Sequence, residues 1–127
     1  MREIRALIVD DSSVMRKIVE RSLRQAGVDS LLVLEACSGI EGLEVLKTRK
    51  VDLILSDINM PAMDGLEFVR QLRSQQLATG VPVVMITTES SEEHVKQAIQ
   101  AGAMGYIRKP FTADQVKQRV LSLLPAA

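Results

Sequence analysis

Val51-Asp52-Leu53-Ile54-Leu55-Ser56-Asp57, running on into Ile58-Asn59-Met60-Pro61-Ala62-Met63-Asp64-Gly65, decides how this chain is read. Val51 and Leu53-Ile54-Leu55 make a short apolar run, the pattern of a strand covered on both faces as in a parallel sheet. Burial of that run carries Asp57 to the strand's carboxyl end, where open α/β sheets place their ligands. Pro61 stops regular pairing, and Asp64-Gly65-Leu66-Glu67 opens a helix with a capping-box pattern. A carboxylate on a rigid strand tip is a candidate nucleophile or metal ligand. The plain alternative is a loop-edge Asp that satisfies backbone N–H groups, and residues elsewhere in the chain must decide between the two.

Outward from this stretch, strand and helix patterns alternate. Ala6-Leu7-Ile8-Val9 is an apolar run ending in Asp10-Asp11. Ser12 or Ser13 can cap the next helix, where Met15, Ile18, Val19 and Leu23 recur at helical spacing before Gly27 ends it. Leu31-Leu32-Val33-Leu34 predicts a second strand. Ser38-Gly39-Ile40-Glu41 repeats the capping pattern, and Ile40, Leu43 and Leu46, with Val45, supply an apolar face. Leu66, Phe68, Val69 and Leu72 do the same after Asp64. Pro82-Val83-Val84-Met85-Ile86 is a fourth buried strand that delivers Thr87 and Thr88 to its tip. Ser90 with Glu93 predicts another capping box, followed by Val95, Ala98, Ile99 and Gly102. Met104-Gly105-Tyr106-Ile107 is a shorter fifth strand leading to Arg108-Lys109-Pro110. Thr112 and Gln115 open a last helix with Val116, Val120, Leu121 and Leu124 inward. Five strands alternating with five helices imply a parallel sheet with crossovers covering both faces.

Composition narrows the function classes. The 127 residues fit one domain spanning 1–127, because domains cluster at about 100–150 residues. Hydrophobic residues at 46% and charged ones at 25% are an ordinary globular mixture. Sixteen basic and sixteen acidic residues cancel, so neither a nucleic-acid nor a membrane footprint is present. No apolar run approaches the ~18 residues of a spanning helix, and no signal peptide precedes Ile4. The single Cys37 cannot form an internal disulfide, which fits a reducing cytosol.

In a parallel sheet all strand tips meet at one edge. Here they offer Asp10 and Asp11 from the first strand, Asp57 from the third, Thr87 from the fourth and Lys109 from the fifth. Three carboxylates gathered by folding repel one another, which raises the folded-state pKa of at least one and calls for a hard cation and a fixed positive group. Mg²⁺ suits the position, since it takes oxygen ligands and accepts phosphate oxygens in the same shell. Lys109 supplies a point charge and the Thr87 hydroxyl a hydrogen-bond donor. Together these parts describe transfer of a phosphoryl group onto Asp57.

Leu7-Ile8-Val9-Asp10-Asp11, Ser56-Asp57-Ile58-Asn59-Met60-Pro61, Met63-Asp64-Gly65, Val84-Met85-Ile86-Thr87, Ala101-Gly102-Ala103 and Lys109-Pro110-Phe111 carry a further reading. With these motifs in this order, essentially the whole chain resembles the response-regulator receiver domains, and among them the stand-alone chemotaxis regulators. The resemblance implies a flavodoxin-like, doubly wound sheet of order 2-1-3-4-5. It implies Asp57 as phosphoryl acceptor and Mg²⁺ held by Asp10, Asp11, Asp57 and the backbone carbonyl of Asn59, with no organic cofactor. Thr87 would bond a phosphoryl oxygen, Lys109 would pair with the phosphate across a cis Lys109–Pro110 bond, and Tyr106 would be the switch aromatic. A purely structural Tyr106, half-buried as Tyr often is, is the competing reading.

The chain departs from the chemotaxis pattern at Ile58, where an aromatic residue is common, and at Thr88, bulkier than the usual small residue. Ser90-Ser91-Glu92-Glu93 lacks the basic residues associated with motor binding, while Asn59 and Glu89 match. A haloacid-dehalogenase-like phosphatase would also use a strand-end Asp, but it needs an acid two residues later, where Asn59 is a poor proton donor. A nucleotide-binding module would want glycines where Asp10-Asp11-Ser12-Ser13 stands. The expectation is a cytoplasmic, monomeric phospho-accepting receiver, fed by a histidine kinase and not an enzyme with separate substrate turnover. Its signal would pass to a downstream protein through the fourth helix, fifth strand and last helix, including Val95, Tyr106 and Arg119. A chemotaxis role is favoured, with a phosphorelay shuttle as the alternative.

Overall fold

The alternation of elements closes into a single five-stranded parallel sheet in the order β2-β1-β3-β4-β5. The computed structural model describes residues 3–28, 30–88 and 92–124. Its strands are β1 (Ile4–Val9), β2 (Leu31–Ala36), β3 (Leu53–Ser56), β4 (Val83–Thr87) and β5 (Gly105–Arg108). The helices between and after them are α1 (Ser13–Gln25), α2 (Gly39–Thr48), α3 (Gly65–Ser74), α4 (Glu92–Ala101) and α5 (Ala113–Val120), the last continued by a 3-10 turn at Leu121–Leu123. The doubly wound order that the resemblance implies is the one observed.

Side chains alternate across each strand, so the apolar runs feed two cores. Leu7 and Val9 of β1 join Leu43, Leu46, Phe68, Val69, Leu72 and Ala98 beneath α2, α3 and α4. Ala6 and Ile8 of the same strand join Val19, Leu23, Val116 and Val120 beneath α1 and α5. The run Leu53-Ile54-Leu55 splits in the same way, Ile54 into the first core and its neighbours into the second. A strand buried on both faces can expose polar groups only at its ends, which is why the strand tips carry the chemistry.

Helix starts follow the capping chemistry. Ser12 caps α1 by accepting the Met15 N–H, settling the choice between Ser12 and Ser13. Ser38, Asp64 and Thr112 accept the N–H groups of Glu41, Glu67 and Gln115. Only Thr112 and Gln115 close the full reciprocal box among the described residues. At α2 the return bond shifts by one residue, from the Cys37 N–H to the Glu41 carboxylate. Ser90 of the expected fourth box lies outside the described residues.

Several helix faces turn away from the expected direction. Ile18, Ile40 and Ile99 are 45%, 54% and 61% exposed, although their spacing marked them for the core. On α1 and α4 the inward place goes to a neighbour about 100° around the helix, Val19 and Ala98 respectively. On α2, the buried Gly39 and Gly42 face Met63 and Phe68 of the α3 side, which they let approach within contact of the helix backbone. β2 runs to Ala36, two residues past its apolar run, because its register with β1 pairs Val9 with Ala36. Met104 precedes β5 and is exposed, while Leu121 leaves α5 for the 3-10 turn and stays half-buried.

The tip of β3 and the start of α3 meet with no room between them. A Cβ on Gly65 would lie 2.1 Å from the Asp57 carbonyl oxygen and 2.8 Å from Ile58 Cα, and the Gly65 N–H donates to the Ile58 carbonyl at 2.8 Å. Gly80 is the opposite case, at φ +81° with open space around it. Gly65→Ala is expected to lower stability by about 3 kcal/mol, at the upper end for overpacking. Gly80→Ala should lose only about 1 kcal/mol from the left-handed backbone. Urea melts of the two variants check this, and a larger loss at Gly80 would contradict the packing described.

Candidate functional site

The backbone ladder runs one step beyond the strands at Asp10, Asp57 and Lys109. The Asp10 N–H donates to the Ala36 carbonyl at 3.1 Å, and the Asp57 N–H donates to the Val9 carbonyl at 3.0 Å. Asp10 and Asp57 therefore leave adjacent strands at the same level. Thr87 ends β4, and its carbonyl accepts the Lys109 N–H at 2.8 Å, which sets Lys109 beside it at the end of β5. The peptide between Lys109 and Pro110 is cis, as the resemblance implies.

These constraints bring Asp10, Asp11, Asp57 and Lys109 together. Lys109 Nζ lies 3.4 Å from Asp10 Oδ2 and 3.5 Å from Asp57 Oδ2, on a side chain only 16% exposed. The other oxygens of the two buried carboxylates accept backbone N–H groups, Asp10 Oδ1 from Ser12 at 2.9 Å and Asp57 Oδ1 from Asn59 at 3.3 Å. Asp11 stands exposed at the rim. One oxygen from each of Asp10, Asp11 and Asp57 falls within a 4.8 Å span, a hard all-oxygen donor set of the kind that Mg²⁺ accepts.

Burial comes first in setting the Asp57 carboxyl above the ordinary carboxylate range. Lys109 pulls the value back, Asp10 pushes it up, and the Asn59 and Ile58 N–H groups pull it down. The direction is the expected one, but its leading cause is loss of water and not repulsion among the three carboxylates.

Thr87 is fully buried. Tyr106 is half-buried against the core beneath α2, α3 and α4, with its hydroxyl oxygen shielded from solvent. Ile58 points into that same core, and Thr88 is exposed beside the site. Asn59 is exposed, and Glu89 lies outside the described residues.

Sequence reasoning passed over two contributors. The Ser56 hydroxyl donates to the Asp57 carbonyl at 2.9 Å from a fully buried position. Arg16, on α1, donates through Nη1 to the Asp10 carbonyl and through Nε to Glu35 Oε1 at 2.9 Å. The available signal was a basic residue between the inward-facing Met15 and Val19, on the turn that follows the acidic pair.

Comparison with known proteins agrees with this geometry. Residues 6–121 match the response regulator receiver domain family. A chemotaxis protein CheY homolog of Campylobacter jejuni (strain 81-176) is 39% identical over 122 residues, covering 95% of this chain and 92% of the relative. The structure of Vibrio cholerae chemotaxis protein CheY4 superposes with a TM-score of 0.86 at 35% identity, covering 97% of this chain and all of that one (100%). The receiver domain of a sensor histidine kinase from Pseudomonas aeruginosa PAO1, with a magnesium ion coordinated in its active-site cleft, superposes at 0.78 and 26% identity, over 92% of this chain and 93% of that one.

The raised Asp57 value makes a stability statement. A carboxyl whose folded pKa lies above its unfolded value favours folding below the unfolded pKa, and that contribution is lost as pH rises through the folded pKa. Asp57→Asn is therefore expected to stabilise the metal-free protein at pH 7. The gain should shrink as pH falls through the carboxylate range, where the wild-type carboxyl takes up its proton. Urea melts in EDTA at pH 7 and in the carboxylate range measure it, and an Asp57→Asn protein less stable than wild type at pH 7 would restore the loop-capping reading of Asp57.

Proposed function

The chain belongs to the response regulator receiver domain family, and on that premise we propose that Asp57 takes a phosphoryl group from a histidine kinase. The observation that carries the proposal is the convergence of a buried Asp57 with Lys109 and two further carboxylates at one sheet edge. In the transfer, an Asp57 carboxylate oxygen forms a bond to phosphorus as the bond from phosphorus to the donor imidazole breaks, giving an acyl phosphate and a free histidine. Asp57 must be ionised to attack, and Lys109 favours that form against the effect of burial. Mg²⁺, held by Asp10, Asp11, Asp57 and the Asn59 carbonyl, would supply positive charge to the phosphoryl oxygens. Lys109 would then move its ammonium from the two carboxylates onto the phosphate.

The Thr87 hydroxyl would bond a phosphoryl oxygen after transfer, and Tyr106 would respond as the space beside Thr87 changes. Thr87 and Tyr106 lie on paired strands, with Tyr106 opposite Met85. The altered surface would be α4, β5 and α5. There Tyr106, Arg108, Gln118 and Arg119 line a groove of about 470 Å³ between β5 and α5. A downstream protein bound on this surface would carry the signal. Similarity to two chemotaxis proteins supports a chemotaxis-type role in two-component signalling. A monomer in the cytoplasm, turning over only its own phosphate, completes the reading. No helix among the described residues is long and apolar enough to cross a membrane.

Acetyl phosphate with Mg²⁺ is expected to add one acid-labile phosphoryl group, read by intact mass, and Asp57→Asn should abolish it. EDTA should abolish it too, because a phosphoryl dianion would otherwise approach three carboxylates. Labelling that survives either change would overturn the assignment. Lys109→Met should keep or slightly improve Mg²⁺ affinity, since a competing charge is gone, yet slow labelling about tenfold or more. Undiminished labelling of that variant would reduce Lys109 to a structural counter-charge.

A further inference from the structure

The rim carboxylate Asp11 differs from its two partners in how it is aimed. Asp10 and Asp57 are buried and receive backbone N–H groups and Lys109. Asp11 is exposed, and among the described residues its carboxylate takes no hydrogen bond that would turn it toward the cluster. The backbone that carries it sets where its side chain starts. One end of that peptide is the Asp10 carbonyl, which accepts from Arg16 Nη1.

Arg16 is itself held in place. Its side chain is only 15% exposed, and its Nε bonds Glu35 Oε1 at 2.9 Å from across the β1–β2 edge. Its own backbone N–H donates to the Ser12 carbonyl at 3.1 Å, so both parts of Arg16 grip the loop between β1 and α1. Glu35 is anchored a second time by Lys17 Nζ, 3.2 Å from its other oxygen. The two cations, Arg16 first, keep the Glu35 carboxyl below its usual range, so it remains the anion that orients the guanidinium.

We propose that Arg16, oriented by Glu35, is a positioning residue: it fixes the Asp10–Asp11 peptide and thereby aims the Asp11 carboxylate at the divalent cation. The inference rests on the reading of Asp10, Asp11 and Asp57 as a cation site. It makes a prediction opposite in sign to electrostatics alone. Arg16 is a positive charge near a cation site, so its removal by charge alone should tighten Mg²⁺ binding. Loss of a group that orients a ligand weakens metal binding by about 10–100-fold instead.

The experiment is calorimetric titration of the full-length, metal-free chain with Mg²⁺, alongside urea melts in EDTA. Wild type, Arg16→Met, Arg16→Lys and Glu35→Gln are compared. Val83→Ala serves as a packing control, in the core at the opposite end of the sheet from the site. Arg16→Met is expected to weaken Mg²⁺ about tenfold. Arg16→Lys should regain part of the loss, and Glu35→Gln should show a smaller loss in the same direction. Val83→Ala should lose stability with unchanged Mg²⁺ affinity. Arg16→Met protein that binds Mg²⁺ as tightly as wild type, or more tightly, overturns the proposal and leaves Arg16 as a tie between α1 and β2. If Arg16→Met does not fold, Glu35→Gln decides by the same two outcomes. Wild type that binds no Mg²⁺ overturns the cation-site reading itself, a result separate from any change between variants.

Discussion

Lys109 holds the strand tips together. Its ammonium lies within 3.5 Å of both buried carboxylates, Asp10 and Asp57, which leave neighbouring strands at the same level. The ammonium offsets the repulsion between two carboxylates that folding brings this close. The fold makes the meeting unavoidable, because a parallel sheet sends every carboxyl end to one edge. It also supplies the remedy, because the fifth strand ends one residue short of Lys109 and the Thr87 carbonyl fixes that residue by its N–H. The ion pair and the sheet topology are therefore one constraint.

Around this pair the backbone is drawn in tightly. The Asp57 carbonyl accepts the Ser56 hydroxyl and lies against Gly65, where a side chain would collide with it. On the other side Arg16 and Ser12 hold the carbonyl and the carboxylate of Asp10. Such contacts leave few alternative positions for the carboxylate oxygens. A site built on strand ends can hold a geometry that one built on long loops cannot.

Much of this was legible in the sequence because its signals are local. Apolar runs of three to five residues, Ser, Asp or Thr before each helix, and polar residues at the end of each run give the strands, the caps and the carboxylates in order. The strand order itself came from the resemblance, since parallel pairing leaves no short-range trace. Helix orientation was less legible: Ile18, Ile40 and Ile99 fit an apolar stripe but face water, because Val19, Gly39, Gly42 and Ala98 hold the inward places. Contacts made far along the chain were not legible. Arg16 reaches Glu35 nineteen residues on, and Gly65 meets Asp57 through a packing distance that no motif encodes. Burial as the leading cause of the Asp57 shift also needed three dimensions, since a run of residues gives charge but not depth.

The sheet's order has a consequence for how unevenly the protein opens. β1, β3 and β4 are each paired on both sides, whereas β5, at the edge opposite β2, pairs only with β4 among the described residues and is four residues long. Its backbone amides therefore belong to a unit that can detach at a fraction of the global unfolding free energy. Tyr106 and the backbone leading to Lys109 ride on that unit, while Asp10 and Asp57 extend the doubly paired centre. The molecule thus has a stiff half that holds the carboxylates and a compliant half that carries both the counter-charge and the aromatic ring. In hydrogen-exchange terms, the expected boundary at this edge of the sheet lies between β4 and β5.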